Sequence, residues 1–293
     1  MTAKAHLHNR DLTAPIKLNE KSVPGAILIR RPNAVLWKFN GCLTSHHFEN
    51  ETKPAYARDH FVNYLERMVP NLSTRLVDLE RRFRRDAKID RDAGEKDVPQ
   101  IPDGIEQPQL FEAMHKYFAY RTQIGKNHPF SPVSIMLHRV CRDGFENDEL
   151  KMPVFSDASK AVAIWRSTEY FIKNYTLAHT EPTIQELHLM HTPDGGIRKS
   201  FNSCLQVAKH KMLQSAYYKS ASNLLRDKPD NLLFITDNPL EANAAKEAGW
   251  IVAVMRRQGE KVYDISQLQD IPVIDDINKL EFEYDPKRPP DCC

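Results

Sequence analysis

The second half of the chain alternates short apolar runs with helical ones, and no other feature narrows the possible folds as much. Leu232-Leu233-Phe234-Ile235 and Ile251-Val252-Ala253-Val254 are apolar throughout. The spacing predicts strands over Asn231–Thr236 and Ile251–Met255, with a helix over Pro239–Ala248 between them. Helices are also expected over Asp157–Arg166, which leads into the apolar Tyr170-Phe171-Ile172, and over Lys209–Leu225. Strands that are apolar without interruption and that alternate with helices imply a parallel sheet covered on both faces.

The first clear strand, Ala34-Val35-Leu36-Trp37, runs into Gly41, a residue that permits a turn. The pattern then changes. Ala57, Phe61, Tyr64, Leu65 and Met68 form the apolar stripe of a helix from about Pro54 to Met68. Leu72, Leu76, Leu79 and Phe83 keep helical spacing through the charge-dense stretch 71–96, and further helices are expected over Gln109–Thr122 and around Val133–Cys141. Between them, DAGEKDVPQIPDGIEQP reads as a loop rich in breakers. The layout is therefore α/β: a Rossmann-like parallel sheet core from 25–53 and 150–285, with an inserted helical cap at 54–149. A flexible leader (1–24) precedes a strand-like run, AILIRR, and a flexible tail (286–293) ends the chain.

With 293 residues, 41% of them hydrophobic, the chain can form a substantial core. Lys and Arg number 41 against 39 Asp and Glu, a net charge of +2, which gives no reason to expect nucleic acid as a partner. The run Arg81–Arg85 is locally basic, but Asp78, Glu80, Asp86, Asp90 and Asp92 offset it, so it reads as a solvated helix face. The N-terminus is polar and unlike a signal peptide, and no stretch approaches the ~20 apolar residues of a membrane span. The five cysteines form neither a disulfide framework nor a zinc pattern, which suits a reducing compartment: the cytoplasm first, the nucleus second. Cys292-Cys293 after Arg288-Pro289-Pro290 is read as two thiols on a tail, ahead of a lipidation site.

Parallel α/β sheets place chemistry at the carboxyl ends of their strands. Two such ends stand out: Val35-Leu36-Trp37-Lys38-Phe39-Asn40-Gly41-Cys42 and Leu232-Leu233-Phe234-Ile235-Thr236-Asp237-Asn238-Pro239-Leu240-Glu241-Ala242. The second resembles the metal-binding fourth motif of the haloacid dehalogenase-like superfamily. Its continuation, Asn243-Ala244-Ala245-Lys246-Glu247-Ala248-Gly249-Trp250-Ile251-Val252-Ala253-Val254, resembles the enolase-phosphatases of methionine salvage. In the same order as in that family, Ala55-Tyr56-Ala57-Arg58-Asp59-His60 is similar to the opening of the cap helix. Ala161-Val162-Ala163-Ile164-Trp165-Arg166 is similar to the helix before the second motif, and Lys209-His210-Lys211 to the segment with the third-motif lysine.

The resemblance implies a covalent mechanism, and the chain departs from it where the chemistry lies. The family's first motif supplies an Asp nucleophile and, two residues on, a Glu that acts as general acid and base. Mg²⁺, a hard cation that takes oxygen ligands, bridges the nucleophile and the fourth-motif Asp. Here those first two positions carry Lys38 and Asn40. Gly41 is kept and Cys42 stands in the place of Thr. No Asp lies between Lys38 and Glu51, so a shifted alignment does not supply a nucleophile. Asn174 is the best match to the phosphate-binding second motif, Lys211 to the third, and Asp237 with Glu241 to the fourth, all as vestigial sites.

The expectation is a pseudophosphatase that binds a protein partner or a ligand without turnover and needs no cofactor. The alternative is an active, Mg²⁺-dependent phosphatase of methionine salvage, with Cys42 as the one nearby substitute nucleophile. Charge suggests a specific arrangement: without a metal, Asp237 would be a buried unpaired carboxylate, and the Lys38 ammonium can pair with it. His46-His47, and His188 with His191, lack convincing metal-ligand partners and are read as surface or loop histidines. Thr180–Ser200, with its Thr192-Pro193-Asp194-Gly195-Gly196 turn, is read as a loop.

Overall fold

The computed structural model describes residues 24–68, 73–125, 131–167, 171–268 and 270–283. The expected leader up to residue 23, Leu72, Tyr170, and the tail with Cys292 and Cys293 lie outside them. The chain divides into two compact units: residues up to His46 together with those from Pro153 onward, and His47–Met152.

Among its described residues the first unit holds eight strands: β1 (Ile27–Ile29), β2 (Ala34–Lys38), β3 (Lys173–Ala178), β4 (Ser203–Gln206), β5 (Leu232–Thr236), β6 (Ile251–Met255), β7 (Val273–Ile274) and β8 (Leu280–Phe282). Six of them form one sheet in the order β4-β3-β2-β5-β6-β7, with every pairing parallel. β1 and β8 pair separately, also parallel. β2 and β5 are the two inner strands, and all five residues of each are buried. The apolar runs have this cause: a parallel strand has helices against both faces, so neither face can be polar.

On one face, Leu36, Phe234, Val252 and Val254 pack with Tyr218 and Ala221 of α7 (Ser215–Leu225) and with Ala242 and Ala245 of α8 (Pro239–Glu247). On the other, Trp37 stacks on Trp165 of α5 (Ser156–Arg166), ring centres 5.2 Å apart. The Trp37 indole N–H donates to Asn174 Oδ1 at 3.0 Å, which satisfies a polar group in an otherwise apolar layer.

The second unit is helical: α1 (Lys53–Met68), α2 (Ser73–Asp92), α3 (Gln107–Ile124) and α4 (Pro132–Glu146), with a π-helical turn at Phe48–Thr52 leading into α1. Phe61, Phe83, Phe111, Met114, Phe118, Met136 and Phe145 are all buried within it.

Two expectations need correction. The helix expected over Lys209–Leu225 is two elements: a 3₁₀ turn at Lys209–Leu213, then α7. The chain breaks at Gln214, whose backbone is extended (φ −120°, ψ 124°). Met212 is buried at that break, and its carbonyl accepts from Tyr218 Oη at 2.9 Å, so burial overrides continuous helix. Thr180–Ser200 is not all loop. It contains helix α6 (Pro182–Met190), anchored by buried Gln185, whose amide donates to the carbonyls of Thr180 and Leu205.

Candidate functional site

Lys38 is the last residue of β2, one position beyond the Trp37–Ile235 register pair with β5. β5 ends at Thr236, so the two inner strands deliver Lys38 and Asp237 to the same end of the sheet. Asp237 is followed by α8, which Asn238 caps by accepting from the Leu240 N–H at 3.0 Å. Glu241 falls in the first turn of α8, where the helix end favours negative charge.

The Lys38 ammonium sits between these two carboxylates. Its Nζ is 2.8 Å from Asp237 Oδ1, an ion pair off the hydrogen-bonding direction, and donates to Glu241 Oε1 at 3.0 Å. Little of this is wet: the side chains are 11%, 3% and 4% exposed for Lys38, Asp237 and Glu241. The arrangement expected from charge alone, Lys38 against Asp237, is therefore present, and Glu241 joins it.

The turn after β2 adds a fourth group. The Leu43 and Thr44 N–H groups donate to the Phe39 carbonyl, and Gly41 N–H donates to Thr44 O at 2.7 Å. Gly41 adopts φ +85°, and a Cβ there would lie 2.4 Å from Asp237 Oδ2 and 2.9 Å from His46 Nε2. Glycine is required on both counts. The turn carries His46 to 2.6 Å from Asp237 Oδ2, while the His46 backbone N–H donates to Glu260 Oε2 at 2.9 Å. The sequence points to a surface or loop histidine at His46, which is instead part of this cluster. The sequence signal for it was a histidine within one tight turn of Gly41, a pattern too common to single out.

Glu241 is fixed by further bonds. Thr236 Oγ1 donates to its Oε2 at 2.7 Å, and Asn238 Nδ2 to its Oε1 at 3.3 Å. Burial alone pulls the Lys38 ammonium towards losing its proton. The charges of Glu241 and Asp237, with the hydrogen bond to Glu241, outweigh that and hold its pKa well above the ordinary lysine range. For Asp237, burial works towards protonation, but the bond to His46 and the Lys38 charge win, so its carboxyl titrates below the usual carboxylate range.

The other expected positions fare differently. Asn40 is on the turn, its Oδ1 buried with no hydrogen-bond partner among the described residues. Cys42 is fully buried, and burial pushes its thiol well above the ordinary range. Asn174 is not at this end of the sheet. It pairs in register with Val35, near the start of β3, and its side chain is used by Trp37, Val162 O and Ser200 O. The residue level with Lys38 is Leu177, so the strand end here is Leu177-Ala178-His179-Thr180. Lys211 is on the 3₁₀ turn that packs against α8, with its side chain exposed. His47 pairs with Glu51 at the surface, and His188 is buried on α6 against Phe39. Among the described residues, no group of three or more His, Cys, Asp or Glu side chains is disposed to hold a metal ion.

A six-stranded parallel sheet with helices on both faces, and an acidic pair just beyond an inner strand, defines a haloacid dehalogenase-like α/β core. The UTR4 protein of Saccharomyces cerevisiae superimposes with a TM-score of 0.58 over 84% of this chain and 98% of its own, at 15% identity, a likeness of fold. No protein-family model matches the chain. Among curated proteins, the enolase-phosphatase E1 of Anopheles gambiae is 25% identical over 255 residues, covering 87% of this chain and 84% of its own. That of Drosophila ananassae is 24% identical over 254 residues, covering 86% and 95%. The chain is thus similar in sequence to the enolase-phosphatases and has a haloacid dehalogenase-like fold.

Proposed function

We propose that this protein is an enolase-phosphatase-like pseudophosphatase that acts by binding a protein or small ligand rather than by turnover. The observation that carries this reading is the state of Lys38. At the position that the resemblance gives to the nucleophilic carboxylate stands an ammonium, engaged by Asp237 at 2.8 Å and Glu241 at 3.0 Å. An ammonium cannot form an acyl-phosphate. The acid/base position holds Asn40, whose amide has no proton to exchange near neutral pH. The substitute nucleophile, Cys42, is 0% exposed with its thiol held protonated by burial, the opposite of an activated cysteine.

The remaining charges argue against a phosphate ester as the ligand of this end of the sheet. Two carboxylates surround one ammonium there, and Lys211 points to solvent. A protein partner, in the cytoplasm or nucleus, fits this better than an anion.

The test is release of inorganic phosphate from an enol-phosphate intermediate of methionine salvage and from an aryl phosphate, each with and without Mg²⁺. No release from the native chain under any condition is the expected result. Mg²⁺-dependent release would establish the alternative, an active methionine-salvage phosphatase whose carboxylates come from elsewhere. Lys38→Asp/Asn40→Glu, run in parallel, shows whether the two missing groups alone separate this chain from activity.

A further inference from the structure

The superfamily's chemistry implies a divalent cation beside Asp237, and the residues present do not fit one. Mg²⁺ needs hard oxygen ligands with free lone pairs, held at about 2.1 Å in near-octahedral geometry. Here both oxygens of both carboxylates have protein partners already. Asp237 Oδ1 meets Lys38 Nζ at 2.8 Å and Oδ2 meets His46 Nε2 at 2.6 Å. Glu241 Oε1 accepts from Lys38 at 3.0 Å and from Asn238 at 3.3 Å, and Oε2 accepts from Thr236 at 2.7 Å. A metal bound to either carboxylate would also lie within a few ångström of a buried ammonium, where like charges repel strongly because water does not screen them.

We infer that the Lys38 ammonium is the resident cation of this site. It takes the place of a divalent metal permanently and makes the protein independent of Mg²⁺. The exchange is chemically specific. A lysine ammonium is a compact point charge with three donors on a flexible stem, so it can sit between two carboxylates as a metal ion would. It is covalently attached, so it needs no binding equilibrium and no free metal. It also explains why two buried carboxylates persist beside a strand end that lacks the residue they would serve: they are counter-ions to Lys38, and either one buried alone would be costly. The inference does not depend on the absence of turnover, since a chain can be inactive and still bind Mg²⁺, or exclude Mg²⁺ and still act on a substrate.

The experiment measures metal binding and thermal unfolding, with no activity readout. Native protein, stripped with EDTA, is titrated with Mn²⁺ by calorimetry and by the paramagnetic signal of the free ion. Its Tm is recorded across a Mg²⁺ series. The expected result is no saturable uptake and an unchanged Tm. Lys38→Asp replaces the ammonium with a third carboxylate, so Mn²⁺ uptake should appear and its Tm should climb with Mg²⁺ concentration. Lys38→Ser, which removes the ammonium and adds no charge, should gain weaker uptake, and it keeps the test decisive if Lys38→Asp folds poorly without metal. Saturable Mn²⁺ binding by the native chain that Asp237→Asn abolishes would overturn the inference. So would failure of both Lys38 variants to gain any binding, because Lys38 would then not be what excludes the metal.

Discussion

Each of the two compact units buries a lysine, and the two are solved differently. Lys53, at the start of α1, is 1% exposed and meets both oxygens of Glu49 at 2.9 Å. Its partner is one helical turn away, and Glu49 is 27% exposed. Lys38 meets Glu241, 203 positions along the chain, and Asp237, both nearly dry. The first pair is local and its carboxylate is partly wet, so removing Lys53 lets Glu49 relax into water. The second is held by strand order, and no member can reach solvent without opening the sheet end. Buried ion pairs punish the loss of one partner far more than they reward the pair's presence, and the punishment grows with how completely the orphan stays buried.

The sharpest way to break this comparison is to replace each lysine with Met, which keeps volume and removes charge. Lys38→Met leaves two carboxylates buried against each other and should cost ~3–5 kcal/mol. Lys53→Met leaves a partly exposed Glu49 and should stay within ~1 kcal/mol. Equilibrium denaturation in urea measures both. Equal losses would mean that the wetness of the partner does not govern the cost.

Next in size is Gly41→Ala. The new methyl would fall 2.4 Å from Asp237 Oδ2, on a backbone at φ +85° that alanine adopts only with strain. A loss of ~2–4 kcal/mol is expected from strain and overpacking together. The same substitution at Gly125, which closes α3 at φ +65° with no atom of the described residues within 4 Å of its Cβ, carries the backbone strain alone and should cost less. A Gly41→Ala protein as stable as Gly125→Ala would show that the approach to Asp237 is not tight.

The smallest effect is a titration. The Asp237 carboxyl binds its proton less readily folded than unfolded, because His46 and Lys38 hold the charged form. It therefore contributes stability that is fully present above the unfolded carboxylate value, ~3.9, and that is lost as pH falls through the lower folded value. His46→Ala removes one of the two supports and brings the folded value back towards the unfolded one, so less stability should be lost along the acid limb and the loss should be complete at a higher pH. Lys38 works the other way round: its folded value is raised, so its contribution persists up to strongly alkaline pH and is lost only above it. An acid limb unmoved by His46→Ala would mean that the 2.6 Å contact contributes nothing to the folded carboxylate.

Much of this was legible in the chain. Leu232–Ile235 and Ile251–Val254 could only be strands buried on both faces, and they are β5 and β6. The order of elements, the strand-end residues Lys38 and Asp237, and Glu241 one helical turn on followed from periodicity and from the resemblance to enolase-phosphatases. The pairing of Lys38 with Asp237 followed from charge, because two opposite charges delivered to one dry strand end have no cheaper arrangement.

What the sequence determined by itself was which stretches are apolar, with what period, and which residues end the two inner strands; these depend on neighbours a few positions away. Tertiary structure alone decided which polar groups meet. The β2–β3 register put Asn174 level with Val35 rather than Lys38, and so moved it out of the site. A turn that only Gly41 permits brought His46 onto Asp237 across 191 positions. Burial of Met212 broke an expected helix at Gln214. Apolar burial is non-directional and can be read from composition along the chain. A hydrogen bond or ion pair needs two atoms within about 3 Å in the right orientation, and only the assembled sheet and its turns set that.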